Sequence, residues 1–145
     1  MPTANRIRVF FDADALIAGT ASSTGASHVL LRLAELGLIE GVTCEQALGE
    51  AERNLATKLA AALPAFRAIL SAAAIQVVAE PEPEGRAALH DLAHEGDLPI
   101  LAAALASRSH YLTTFNVRHY QVPASRIRVA RPGEVVADLR RRLSP

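Results

Sequence analysis

Three acidic residues in separate segments have the types and positions to bind a metal ion. Asp12 closes the apolar run Val9-Phe10-Phe11, and Glu50 lies in a segment with helical character. Asp97 directly precedes the apolar run from Leu98 to Leu105. Polar residues at the end of a buried strand or the start of a buried helix lie at the carboxyl edge of a parallel sheet, where ligands bind. Carboxylates that converge there repel one another unless a cation neutralises them, and oxygen ligands select Mg²⁺ or Mn²⁺. The sequence therefore predicts a carboxylate–metal site of phosphodiester-cleaving type.

Each acidic residue also has a purely structural interpretation. Asp12 and Asp97 stand where a helix N-cap is expected, and a helical glutamate such as Glu50 usually belongs to a solvated face. Asp14 favours the metal interpretation at the first position, because two carboxylates that flank one alanine after a strand are electrostatically unfavourable without a cation. Asn116 follows a later strand, where asparagine is mostly a turn residue but also a candidate neutral ligand.

The elements that must position these residues are strands alternating with helices. The hydrophobic pattern predicts strands at 7–11, 38–43, 75–79, 111–114 and 127–130. It predicts six helices. The first lies at 26–36, the second runs from a capping box at 43–46 to about 63, and the third continues from there to about 74. The others lie at 86–94, 97–108 and 132–142. Pro64 is expected to break the second of these helices. The alternation predicts a three-layer α/β/α sandwich with a parallel sheet of four or five strands.

Length and composition predict one domain, residues 1–145, in a reducing compartment. Half of the 145 residues are hydrophobic, which suffices for a continuous core. Cys44 is the only cysteine, which excludes an internal disulfide and fits the cytoplasm. No apolar stretch reaches the roughly 20 residues that span a bilayer, and the N-terminus lacks the apolar region of a signal peptide. Zero net charge argues against a protein that coats nucleic acid, but not against an enzyme that contacts a few phosphates beside a metal.

Four segments, taken in order, resemble the PIN-domain family. They run over residues 9–17, 44–50, 97–105 and 111–120. Each motif is loose, but the ordered combination is fairly specific and covers nearly the whole chain. The resemblance implies a metal-dependent ribonuclease fold, often the toxin of a VapBC-type toxin–antitoxin pair.

The resemblance assigns roles to individual positions. Asp12, Glu50 and Asp97 match the family's three acidic ligands, and Thr114 matches a small hydroxyl residue that orients water or phosphate. Asn116 stands where many members have a fourth aspartate, and Asp14 where asparagine, serine or threonine is commoner. The three acids would hold Mg²⁺ or Mn²⁺, which lowers the pKa of a water that attacks the RNA phosphodiester and neutralises charge on the phosphoryl oxygens.

Two other functions compete with this prediction. The first is a PIN-like protein that binds RNA or a partner without cutting, which the departures at Asp14 and Asn116 keep open. The second is a doubly wound aspartyl phosphatase, because an acid-x-acid motif after the first strand is also typical of that class. A phosphatase needs a lysine late in the chain, and Lys58 is the only lysine. The histidines show no spacing suited to zinc, so His90 and His94 are predicted to be surface residues.

The resemblance also implies partners. PIN domains of this size are usually homodimers, and twofold pairing is the commonest symmetry of soluble oligomers. The helix at 26–36 and the alanine-rich stretch at 56–74 offer more apolar surface than one sheet face needs. We expect an antitoxin segment to dock there and to send a basic side chain toward the acidic pocket.

Overall fold

A five-stranded parallel sheet forms the centre of the molecule. The structure is a computed structural model that describes residues 6–143. The strands are β1 (Ile7–Phe11), β2 (Ile39–Cys44), β3 (Gln76–Val78), β4 (Tyr111–Thr113) and β5 (Arg128–Ala130). Every neighbouring pair is parallel, and the order across the sheet is β3-β2-β1-β4-β5. The predicted fold class is confirmed.

Helices cover both faces of the sheet. They are α1 (Ala13–Ala21), α2 (Ala26–Glu35), α3 (Glu45–Lys58), α4 (Leu63–Ala72), α5 (Pro83–Ala87), α6 (Leu98–Ala106) and α7 (Pro132–Leu143). Short 3₁₀ turns lie at Ala60–Ala62, Glu95–Asp97 and Val117–His119. Within the described residues, no helix has the length and apolar character needed to cross a membrane.

The alternation of side chains along β1 explains the three layers. Val9 and Phe11 point into a core shared with α1, α2, α4 and α7, whereas Phe10 points to the opposite face and packs with α6. All three side chains are fully buried. Because successive residues of a strand face opposite sides of the sheet, an unbroken apolar run is what a strand covered on both faces requires.

The predicted helix at 86–94 does not form as such. Helix α5 ends at Ala87, and a series of turns follows. The backbone at 92–94 bonds instead to the segment after β4: His94 N–H donates to the His119 carbonyl at 2.9 Å, and Gln121 N–H donates to the Leu92 carbonyl at 2.7 Å. Backbone groups committed to these tertiary bonds are lost to a helix.

Two details of the second and third predicted helices are also wrong. The capping box is absent, because the Thr43 hydroxyl donates to the Phe11 carbonyl at 2.8 Å and Cys44 is the N-cap. Helix α3 ends at Lys58, before Pro64, which lies in the first turn of α4. Proline is tolerated there because the first helical N–H groups have no partner within the helix. Helix α1, which the hydrophobic pattern did not predict, fills the connection after β1.

The strand order places a ligand-binding crevice beside β1. The chain leaves β1 toward β2 on one side and later returns to β4 on the other. Such a reversal opens a crevice at the carboxyl ends of the two central strands. Asp12 follows β1 and Thr114 follows β4, so both residues lie at this reversal. Residues 1–5, predicted to lead into β1, lie outside the described residues.

Candidate metal centre

A cavity of about 470 Å³ opens at the carboxyl edge of the sheet. Five of the six residues singled out in the sequence line it: Asp12, Asp14, Glu50, Asp97 and Asn116. The sixth, Thr114, is fully buried; its hydroxyl donates to Asp12 and lies close to Asp14. The elements that carry them are β1, α1, α3, the turn before α6 and the loop after β4. The fold therefore brings all six together.

Asp12 is the most buried carboxylate of this cavity, with 7% of its surface exposed. Its Oδ1 accepts a hydrogen bond from the Ala13 N–H at 2.7 Å. Its Oδ2 accepts bonds from the Thr114 hydroxyl at 3.0 Å and the Tyr120 hydroxyl at 3.5 Å. Asp12 is thus both the N-cap of α1 and a fixed group at the cavity floor. The two interpretations of the sequence are compatible.

Burial shifts the ionisation of this carboxylate. Desolvation and the nearby Asp14 raise the pKa of Asp12 from 3.8 to about 6, although hydrogen bonds from Ala13 and Thr114 lower it. The pKa of Asp14 is also raised, chiefly by burial. A buried and a half-buried carboxylate that both have raised pKa values are costly to ionise, and a bound cation would remove that cost.

Asp14 organises the loop that follows β4. Its carboxylate accepts hydrogen bonds from the Phe115 N–H at 3.0 Å and from the Asn116 side-chain amide at 3.1 Å. The Thr114 hydroxyl lies 3.4 Å from both Asp14 oxygens, farther than from Asp12. Since a hydroxyl has one proton, it donates to Asp12, and it accepts a bond from the Asn116 N–H. Asn116 is therefore more than a turn residue.

Glu50 faces the cavity from the exposed side of α3. The apolar residues of the same segment predict a position for Glu50 near the boundary of the core, but Glu50 is exposed. Those apolar residues are Ala47, Leu48, Ala51 and Leu55. The Gln46 side-chain amide lies 3.1 Å from Glu50 Oε1 and 3.2 Å from the Gly96 carbonyl. One glutamine thereby links α3 to the turn that carries Asp97.

The Asp97 side chain makes no capping bond to α6, although the residue stands at the N-cap position. Its Oδ2 lies 3.0 Å from Nδ1 of His119. The His119 ring stacks on the His94 ring with 4.2 Å between centroids. Both histidines line the cavity. His94 is exposed, as predicted for a surface residue, and its ring also borders the cavity.

The donor atoms fit a hard divalent cation held partly through water. Asp12, Glu50, Asp97 and Asn116 offer oxygen atoms, the ligands that Mg²⁺ and Mn²⁺ prefer. Within residues 6–143, Asp12, Glu50 and Asp97 do not approach within 4.8 Å of one another as a set of three. Mg²⁺ usually keeps several waters and binds one or two carboxylates directly, so this spacing suits it. The arginines 8, 32, 67, 128 and 141 form their ion pairs with carboxylates outside the cavity.

The sequence analysis missed three residues that shape the cavity. Tyr120 is buried, its pKa is raised by burial, and its hydroxyl donates to Asp12. His94 and His119 were missed because their spacing in sequence does not suit a metal. A usable pattern exists: His94 precedes Asp97 by three residues, and His119 follows Asn116 by three.

The family model for the PIN domain matches residues 8–118 of this chain. The matched stretch contains every carboxylate of the cavity. This chain belongs to the PIN-domain family. The fold resembles the crystal structure of VapBC2 from Rickettsia felis bound to a DNA fragment from their promoter, with a TM-score of 0.64 and 14% sequence identity. The similarity covers 85% of this chain and 97% of the other. The search of curated protein sequences found no significant match to this chain.

Asp14 and Asn116, the two positions at which the sequence resemblance implies a departure from the family pattern, are in direct contact. The Asn116 side-chain amide donates to the Asp14 carboxylate at 3.1 Å. An aspartate at 116 would lose the amide donor and face Asp14 with a like charge. The pair as it stands, an acid at 14 and an amide at 116, makes a hydrogen bond where two acids would repel each other.

The site supports neither a phosphatase nor an enzyme with a thiol nucleophile. A phosphatase would require a lysine in the cavity. Lys58 is exposed at the end of α3 and does not line the cavity. Cys44 is fully buried, and burial raises the pKa of its thiol from 9.0 to about 11. A thiol with this pKa is a poor nucleophile.

Proposed function

We propose that this PIN domain is a Mg²⁺- or Mn²⁺-dependent endoribonuclease that hydrolyses RNA phosphodiester bonds, and the toxin of a toxin–antitoxin pair in the cytoplasm. We further propose that residues 1–145 form a single domain. One observation carries the proposal: in a PIN fold, Asp12 lies buried at the floor of an acidic cavity with its pKa raised to about 6. A carboxylate held in this way has a cation as its natural partner.

Asp12, Glu50 and Asp97 would hold the ion from three sides of the cavity. When bound, the ion supplies charge that stabilises negative phosphoryl oxygens and acidifies water. The Ala13 N–H and the Thr114 and Tyr120 hydroxyls orient the Asp12 carboxylate by hydrogen bonding. Such fixed partners reduce the reorganisation needed during the reaction.

The loop after β4 would position the substrate. Asp14 holds the Phe115 N–H and the Asn116 side chain, so the loop that borders the cavity is fixed from α1. The amide of Asn116 has polar atoms to offer a phosphate or an attacking water. Thr114 acts from below by holding Asp12 and the Asn116 backbone.

RNA cleavage should be abolished by excess EDTA and restored by Mg²⁺ or Mn²⁺, because the described residues that line the cavity include carboxylates but no arginine or lysine to neutralise the phosphate. The measurement is endpoint cleavage of a mixed RNA pool by the purified chain, with chelator and metal added in turn. Cleavage that persists in excess chelator would contradict the proposal. Metal binding without cleavage would support the alternative of a non-catalytic PIN-like binding protein.

We also propose a homodimer that binds an antitoxin. The helix α2 and the segment 56–74 expose apolar side chains near their ends, with Leu36 62% and Leu59 55% exposed. An apolar groove between α2 and α7 is lined by Val29, Leu33 and Leu143. Exposed apolar patches of this kind mark interaction surfaces. The structurally similar VapBC2 of Rickettsia felis is bound to a DNA fragment from its promoter, and this likeness supports an antitoxin partner for this chain.

Light scattering at micromolar concentration should give twice the chain mass, and the chain should co-purify with the product of an adjacent gene. Leu36→Glu should weaken the association that uses the α2 surface, whereas a glutamate at Arg126, which is exposed in the loop before β5, should not. A monomer that co-purifies with no neighbouring gene product would contradict this part of the proposal.

A further inference from the structure

A second set of metal-binding groups lies at the mouth of the cavity. His94, Asp97 and His119 each present one ligand atom, and these three atoms lie within 4.8 Å of one another. His94 is exposed, and the other two residues are half-buried. Among residues 6–143, no other trio of histidine, cysteine, aspartate or glutamate meets this condition. The set differs from the carboxylate site because two of its three donors are imidazole nitrogens.

Backbone hydrogen bonds hold the three residues together independently of their side chains. His94 N–H donates to the His119 carbonyl at 2.9 Å, and Ala93 pairs with Tyr120 in an antiparallel bridge. The Asp97 N–H donates to the His94 carbonyl at 2.8 Å. The loop from α5 and the loop after β4 are thus joined where the three side chains project. Ligands mounted on a fixed backbone lose little freedom when they bind an ion.

Imidazole donors change which cation is preferred. Two nitrogens and one carboxylate oxygen suit borderline divalent ions, whereas Mg²⁺ requires oxygen ligands. Three protein ligands with a fourth position open to water form a familiar tetrahedral zinc arrangement. We propose that His94, Asp97 and His119 bind Zn²⁺ and that this site shares Asp97 with the carboxylate site.

Binding requires one local rearrangement. The two imidazole rings are stacked, with an angle of 20° between their planes. A metal lies close to the plane of each ring that binds it, so nearly parallel rings do not share an ion until one turns. His94 is exposed, which leaves its side chain room to turn. Zinc–ligand bonds of about 2.0–2.1 Å place tetrahedral donor atoms roughly 3.3–3.4 Å apart, and Asp97 Oδ2 and His119 Nδ1 are already 3.0 Å apart.

Sharing Asp97 has a functional consequence that rests on the proposed function. Zn²⁺ on one oxygen of Asp97 neutralises that carboxylate and sets a second dication beside the Mg²⁺ site, so the two ions weaken each other's binding. Zn²⁺ therefore acts as an inhibitor of the Mg²⁺-dependent reaction. The zinc site itself does not depend on any nuclease activity.

The test is a Zn²⁺ titration of chelator-treated protein by calorimetry, in the Asp12→Asn background to remove the carboxylate site. One zinc should bind per chain. Adding His94→Ala or His119→Ala should weaken that binding by more than the roughly 10–100-fold that loss of an outer-shell partner costs. His90→Ala is the matched control, because His90 is an exposed histidine four residues from His94 and outside the trio. It should leave zinc affinity unchanged.

Unchanged zinc affinity in His94→Ala would overturn the proposal, and since His94 is exposed, misfolding does not obscure that result. Loss of zinc binding in Asp12→Asn alone would also overturn it, because the zinc would then belong to the carboxylate site. With excess Mg²⁺, the apparent zinc affinity should fall in the wild-type chain and remain unchanged in Asp12→Asn. Zinc binding through these residues in a chain that cuts no RNA leaves this inference standing and defeats only the proposed function.

Discussion

Asp12→Asn is expected to lower metal-dependent RNA cleavage by about a thousandfold or more. A catalytic metal contributes several kcal/mol of transition-state stabilisation, and each 1.4 kcal/mol corresponds to about tenfold in rate. Asp12 is the buried carboxylate on which two hydroxyls and a backbone N–H converge. Removing its charge removes the ligand that the fold holds most firmly.

The variant should remain folded. An asparagine oxygen can still accept from the Ala13 N–H, and its amide can donate to the Thr114 and Tyr120 hydroxyls, which also accept. The measurement is a single-turnover cleavage rate beside a thermal melt. Asp91→Asn is the control, because Asp91 is an 84% exposed aspartate outside the cavity, and it should cleave normally. A wild-type rate in Asp12→Asn would remove Asp12 from the site.

The stability of the metal-free protein should fall as the pH rises from about 4 to about 6. The pKa of Asp12 is about 6 in the folded chain, against 3.8 for the ordinary carboxyl. Between these values the folded state holds more protons than the unfolded state, so the free energy of unfolding decreases with pH. The stabilisation that Asp12 contributes is fully present below about pH 3.8 and is lost above about pH 6. A shift of about two units corresponds to about 3 kcal/mol, and the raised pKa of Asp14 acts in the same direction.

Urea unfolding at a series of pH values in the presence of chelator measures this slope. Asp12→Asn should show a much smaller decline, and near pH 8 it should be more stable than the wild type, because it buries no charge at this position. Saturating Mg²⁺ near pH 8 should stabilise the wild type more than the variant, because an ion that binds only the folded state adds its binding free energy. Equal slopes for both proteins would show that Asp12 ionises without the cost expected from its burial.

The sequence was sufficient to predict the architecture and which acidic residues line the cavity. Unbroken apolar runs such as Val9 to Phe11 can be buried only in a strand covered on both faces, and their alternation with helical segments predicts a parallel sheet. A parallel sheet has one carboxyl edge, so residues that follow β1 and β4 must meet there. Asp12, Asp97 and Asn116 were singled out by that rule and Glu50 as an acid in a helical segment, whereas Thr114 was named only through the resemblance to the PIN-domain family.

Only the tertiary structure decided which of these side chains bond to one another. Asp14 and Asn116 are 102 residues apart in the sequence, yet their side chains form a hydrogen bond. The two positions at which the resemblance implies a departure are therefore structurally linked. His94 lies in a segment whose local pattern predicts a helix, and bonds to the segment after β4 bring its ring onto His119. Local periodicity reports which face of an element is apolar. It carries no information about backbone bonds between distant loops, and those bonds placed two histidines beside Asp97.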